Sequence, residues 1–184
     1  MPGVNIEAVQ EQVVALVKRM EQEAEDLDYV INRIQTGVDF VPIEVQETIR
    51  QWKDGKAYKN DTFEDLKRKF RHKAYSIDDG WELYYMYADW IVKQRQKLLV
   101  FVRLLVGIEA KPSEHFLATI KRAEQVEWNK EAEMDMDVVF MLKDIRDIYQ
   151  LTLKIEKRMR DLEAVCRQRS NMIIAPNWEP KGSL

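Results

Sequence analysis

Apolar residues recur at alternating spacings of three and four along the first stretch of the chain. Ile6, Val9, Val13, Leu16, Met20, Leu27, Val30 and Ile34 form this series between Asn5 and Thr36. That spacing keeps them on one face of a helix and predicts a long coiled-coil-like seam. Glu23 breaks the frame, with Ala24 beside it. Asn5 suits the N-cap, and Gly37 suits the stop, because glycine takes the left-handed turn without a steric cost. A second long helix is predicted from Asp78-Asp79 to about Gly107. Trp81, Tyr84, Ala88, Ile91, Leu98, Val102 and Leu105 keep the heptad, and Arg95 occupies one seam position. An unpaired buried guanidinium is very costly, so Arg95 is expected to meet a carboxylate. Glu23, Asp26 and Asp28 are the candidates if the two helices run antiparallel.

Shorter elements lie between and after these. Pro42 suits the first position of a helix carrying Ile43, Val45, Ile49 and Trp52, ending before Gly55. Residues 53–61 form a polar loop. Thr62 or Asp61 then caps a helix with Phe63, Leu66, Phe70 and Ala74 on one face. Pro112 and Ser113 open the last segment, which has neither glycine nor proline from Glu114 to Met172. One helix there would be ~88 Å long at 1.5 Å per residue. Phe116, Ile120 and Ala123 make an apolar face, the stripe then fails, and it resumes with Met141, Ile145, Ile148, Thr152, Ile155, Met159, Leu162 and Cys166. With no helix-breaking residue in 124–137, a continuous helix is expected; the alternative is a break, with Asp135 or Asp137 capping a further helix. The prolines and glycine after Asn171 predict an extended or disordered tail. The expected architecture is all-α: an antiparallel bundle of four to five helices over residues 1–172, with long coiled-coil-like helices and a tail over 173–184.

Composition agrees with helices that have one dry and one solvated face. Among 184 residues, 46% are apolar and 33% charged, with only 6 glycines and 5 prolines. The formal charge of −3 lacks the overall positive excess that grips nucleic acid by counterion release. Cys166 is the only cysteine, so no intrachain disulfide forms, and a reducing, cytoplasmic setting is expected. The N-terminus has no basic region followed by an apolar one. The apolar run from Leu98 to Ile108 is interrupted by Arg103 and spans only ~16 Å, about half a bilayer core. Asn60-Asp61-Thr62 matches a glycosylation acceptor and is read instead as part of a helix cap.

No catalytic, metal or nucleotide motif stands out. Di-metal sites in bundles use Glu-x-x-His pairs, and neither His72 nor His115 has a glutamate three residues before it. Cys166 falls on a seam, where a small apolar side chain fits. No glycine-rich phosphate loop is present. The expectation is a protein that is not an enzyme, with no cofactor, no metal and no small-molecule substrate.

What remains are surfaces. Lys67, Arg68, Lys69, Arg71 and Lys73 form a basic run, read as a solvated face, with contact to anionic lipid or nucleic acid as the less favoured alternative. Residues 124–137 carry Glu124, Glu127, Glu131, Glu133, Asp135 and Asp137 against one base, Lys130. Glu127, Glu131 and Asp135 are therefore candidates for steering a partner. Tyr87 and Trp90 lie off the predicted seam; packing against the short helices is the favoured reading for them, and they are the candidate interface aromatics otherwise. Ile173, Ile174 and Trp178 are candidate apolar anchors in the tail. These features predict a protein–protein interaction or assembly module, acting on another protein or by self-association. The alternative is a membrane-active bundle that exposes the apolar segment around Leu98 to Val106.

Overall fold

The computed structural model describes residues 5–36, 62–72, 75–130 and 133–173, with 171–173 described by their backbone alone. The predicted helix after Pro42, the loop before Thr62 and the tail beyond Ile173 lie outside the described residues. So do Gly37, Lys73, Ala74 and Glu131. Within them the chain is all-α and contains no strand: α1 is Ile6–Thr36, α2 Phe63–Arg71, α3 Ile77–Val106, α4 Phe116–Trp128 and α5 Met136–Ile173. The fold is an antiparallel helical bundle.

The chain divides into two compact units. The first takes residues 1–24 and 89–156, the second 25–88 and 157–184. The boundaries fall inside helices, so α1, α3 and α5 each give one stretch to each unit. Among the described residues the first unit adds α4 and the second adds α2, so each packs four helical segments.

The α1 seam is present as the spacing predicts. Val9, Val13, Leu16, Met20, Leu27, Val30 and Ile34 are all buried. Asn5 Oδ1 accepts the Ala8 N–H at 3.1 Å, satisfying one of the donors that a helix start leaves unpaired. Glu23, the polar residue in the frame, is buried and held by Arg19 Nε at 2.9 Å.

In the second unit, α2 begins with a capping box. Thr62 Oγ1 accepts the Asp65 N–H at 3.1 Å, and Asp65 Oδ2 accepts the Thr62 N–H at 3.0 Å. Asp79 makes a similar box at the start of α3, accepting the Ser76 N–H at 2.8 Å. Phe63 meets Tyr87 edge-on at 4.4 Å while Lys69 reaches Asp79 at 3.5 Å, so α2 runs antiparallel to α3. Trp81 Nε1 donates to Ser170 Oγ at 3.3 Å, and Tyr84 faces Glu163, so α3 also runs antiparallel to α5.

The first turns of α3 bury a different face from the one the heptad predicts. Trp81, Tyr84 and Ala88 are half-buried, whereas Ile77, Gly80, Leu83, Tyr87 and Ile91 face inward. Both frames are apolar. The inner one wins because Gly80 has no side chain and lets α3 approach Ile34 and Cys166 closely. Beyond Ile91 the predicted Leu98 and Val102 are buried, while Leu105 is half-buried.

In the first unit, the long segment after Pro112 is not one helix. It breaks after Trp128 and restarts at Met136, giving the α4–α5 hairpin. Continuity would leave the Phe116–Ile120–Ala123 face in water. Folding back stacks Phe116 on Tyr149, with ring centroids 4.3 Å apart, and buries Ile120 and Ala123. Asp135 serves as the alternative cap, accepting the Asp137 N–H at 2.9 Å on its side chain and the Val139 N–H at 3.1 Å on its carbonyl.

Arg95 does find a carboxylate, on α5 and not on α1. Its guanidinium pairs with both Glu156 oxygens at 3.1 Å, and its Nε donates to Thr152 Oγ1 at 3.1 Å. The expected partners on α1 are engaged elsewhere: Glu23 by Arg19, Asp26 by Lys67 and Arg71, and Asp28 by Arg158.

Candidate functional site

The candidate surfaces lie in the first unit. Trp90, Gln94 and Lys97 follow one another at i, i+4 and i+7 on α3 and therefore share a face. Opposite them α1 presents Gln12, Ala15, Leu16, Lys18, Arg19 and Gln22, and the two rows enclose an open groove. The Arg19 guanidinium lies 5.8 Å from the Trp90 ring centroid, within cation–π range. Lys18, Arg19 and Lys97 line the groove with no acidic residue among its lining side chains. Lys18 and Lys97 make no ion pair among the described residues. The groove is thus amide-rich and electropositive, with an aromatic wall.

A ridge on α5 carries the opposite chemistry. Met136, Phe140, Asp144, Asp147, Leu151 and Lys154 are spaced four, four, three, four and three residues apart, which keeps them along one helix face. That face is outward: Met136 is 45% and Phe140 57% exposed, and both aspartates are exposed. Val17 and Glu21 of α1 flank the ridge in a shallow acidic cleft with Asp144, Asp147 and Ile148. Partial burial and the neighbouring Asp147 charge push the Asp144 carboxyl above its ordinary range, with Lys143 opposing them.

At the hairpin turn the buried Glu127 accepts the Asp135 N–H at 2.8 Å, and Lys130 Nζ lies 2.9 Å from its other oxygen. Trp128 and Met136, which follow these two bonded residues, are both exposed, Trp128 by 56%. Below the turn Glu124 is paired with Arg146.

The residues singled out from sequence distribute unevenly over these surfaces. Trp90 walls the groove. Tyr87 belongs to the core, fully buried against Phe63, and offers nothing to a partner. Glu127 is buried and ties the hairpin turn to the Asp135 amide, whereas the half-buried Asp135 carboxylate caps the start of α5. Ile173 ends α5, and Ile174, Trp178 and Glu131 lie outside the described residues. The basic run is largely neutralised inside its own unit. Lys67 is buried and reaches Asp26 and Glu64, Arg68 reaches Asp65, Lys69 reaches Asp79 and Arg71 reaches Asp26.

Sequence reasoning missed the groove cations Lys18, Arg19 and Lys97 and the ridge of Phe140, Asp144 and Asp147. The signal for the ridge was present. Once Met141, Ile145, Ile148 and Thr152 define the inner face of α5, the positions opposite them are outward, and two of those carry Met and Phe.

The histidines are placed plainly. His115 caps α4, its Nδ1 accepting the Leu117 N–H at 3.2 Å, and the exposed His72 ends α2. Among the described residues no group of three or more His, Cys, Asp or Glu side chains could hold a metal ion, and no helix is long and apolar enough to cross a membrane. Comparison of the chain with protein-family models, curated proteins and solved structures gives no match.

Proposed function

We propose that the protein is a non-catalytic helical interaction module that binds protein through the outward ridge of α5 and the groove between α1 and α3. The observation that carries this reading is the exposed Met136–Phe140 pair, continuous on one helix face with Asp144 and Asp147. Large apolar anchors beside fixed charges are the means by which a helix face gains both affinity and orientation. A cytoplasmic setting belongs to the same reading. It is supported by the presence of a single cysteine, Cys166, which leaves no intrachain disulfide to form.

The test compares the wild-type chain with a Met136→Ser/Phe140→Ser variant. Both sites are exposed, so the melting temperature should hold within the small range usual for surface changes. Proteins captured by the wild type from a host extract should be lost by the variant and should rebind when purified. Identical captures by both chains would overturn the reading. The membrane-active alternative draws on exposed Val92, Val100 and Leu104 of α3. Leakage of anionic vesicles, reduced by Val100→Ser/Leu104→Ser and indifferent to the α5 variant, would select it instead.

A further inference from the structure

The groove and the ridge complement one another and cannot meet on the same chain. Gln12, Ala15, Arg19 and Gln22, which line the groove, lie on the opposite side of α1 from Val17 and Glu21, which flank the ridge. The groove is a concavity lined by Lys18 and Lys97, with Arg19 beside them paired to Glu23. The α5 face displays the exposed carboxylates of Asp144 and Asp147, flanked by Glu21 of α1, with Lys154 two turns beyond Asp147. Two-fold pairing of like surfaces would set cations against cations or carboxylates against carboxylates, which is repulsive.

We propose that copies of this chain associate head to tail, the α5 ridge of one seated in the α1–α3 groove of the next. The inference rests on the reading of the α5 ridge as an interaction surface and adds its occupant. In this arrangement Asp144 and Asp147 meet Lys18 and Lys97 of the neighbour, and the apolar Phe140 has the aromatic wall of Trp90 within the same groove. Partial burial and the Asp147 carboxylate one turn along the same face both disfavour the charged form of Asp144, and a cation supplied by a neighbour opposes them. A contact between two different surfaces leaves one of each unused at the ends. Assembly therefore continues past the dimer, as a ring if the rotation closes and as a filament if it does not.

Sedimentation velocity of the full chain tests this. One variant reverses the groove (Lys18→Glu/Lys97→Glu), one reverses the ridge (Asp144→Lys/Asp147→Lys), and a third carries all four changes. The substituted side chains are exposed, and circular dichroism checks that each variant remains helical. The wild type should form species larger than a dimer, growing with concentration and dissolving as salt screens exposed charges beyond ~8 Å. Each two-site variant should associate roughly tenfold or more weakly. An equimolar mixture of the two, and the four-site variant alone, should regain association because opposite charges face each other again. Association that survives both reversals, or a mixture no larger than its components, overturns the head-to-tail contact. A wild type that stays monomeric at its highest soluble concentration overturns it too. That result leaves the interaction reading standing if the Met136→Ser/Phe140→Ser variant still loses a captured protein.

Discussion

A Cβ placed on Gly80 would lie 2.7 Å from Cys166 Sγ and 3.1 Å from Ile34 Cδ1, both side chains being fully buried. At 2.7 Å something must shift, and both contacts are in the buried core, so Gly80→Ala should cost about 1–3 kcal/mol, as overpacking does. Cys166→Ala removes the nearer atom. Urea denaturation of the two single variants and the double variant should therefore give a double-mutant penalty smaller than the sum of the singles. Strict additivity would show that the contact is not the source of the cost. Glu114 supplies a second prediction at this scale. Its carboxylate accepts from Arg122 at 2.7 and 2.8 Å, from the Lys111 N–H at 3.0 Å and from Thr119 at 2.8 Å. These bonds, led by Arg122, hold its pKa at about 2, below the ordinary 4.5. A lowered folded value means stability that is fully present above 4.5 and is lost as pH falls toward 2. The stability difference between the wild type and Glu114→Gln should shrink across that window. A difference that stays constant from pH 6 to pH 2 would show that the bonds do not favour the ionised form.

Among the elements, the turn between α4 and α5 shows how one buried carboxylate replaces a missing helix breaker. Glu127 lies where continuous helix would point it at the core, and it accepts the Asp135 amide in place of solvent. Glu127→Ala should cost about 1–3 kcal/mol, the penalty for a buried hydrogen-bonding group losing its partner. It should also speed hydrogen exchange at the Asp135 amide while leaving the middle of α5 protected. Unchanged exchange there would mean that the turn is held by the Phe116–Tyr149 stack alone. The sequence pattern missed this break because helix propensity reports on local cost, and nothing from Glu124 to Asp137 is locally unfavourable. The decision was made by the apolar face of Phe116, Ile120 and Ala123, which needed a partner that only a reversal could bring. The α1 seam was legible for the converse reason: eight apolar positions in one frame admit one buried face. The start of α3 offered two apolar frames. Periodicity cannot choose between Trp81–Tyr84–Ala88 and Gly80–Leu83–Tyr87 without knowing that Gly80 admits a close neighbour. The candidate surface was the least legible part. Its groove joins residues some seventy positions apart on α1 and α3, and its ridge becomes outward only after the α5 core is known.

At the scale of the whole molecule, neither unit can be lifted out as a continuous segment. Their boundaries fall at Ala24–Glu25, Ala88–Asp89 and Glu156–Lys157, within α1, α3 and α5. Melting one unit would leave three helix ends in the middle of otherwise regular helices. Each new end exposes up to four unpaired backbone groups, and a shortened helix depends more heavily on packing for its stability. Extending a helix that already exists is far easier than nucleating one, so order in one unit favours order in the other. The expected outcome is a single cooperative unfolding transition, and two core substitutions check it. Leu98 is fully buried in the first unit and Leu162 in the second. Either change to Ala should cost about 2–5 kcal/mol by opening a cavity. If unfolding is two-state, Leu98→Ala and Leu162→Ala should each displace the same transition, and the calorimetric and van't Hoff enthalpies should agree. If instead Leu98→Ala shifts one transition and Leu162→Ala a second, the units melt separately, and the shared helices fray at the three boundaries before either core opens.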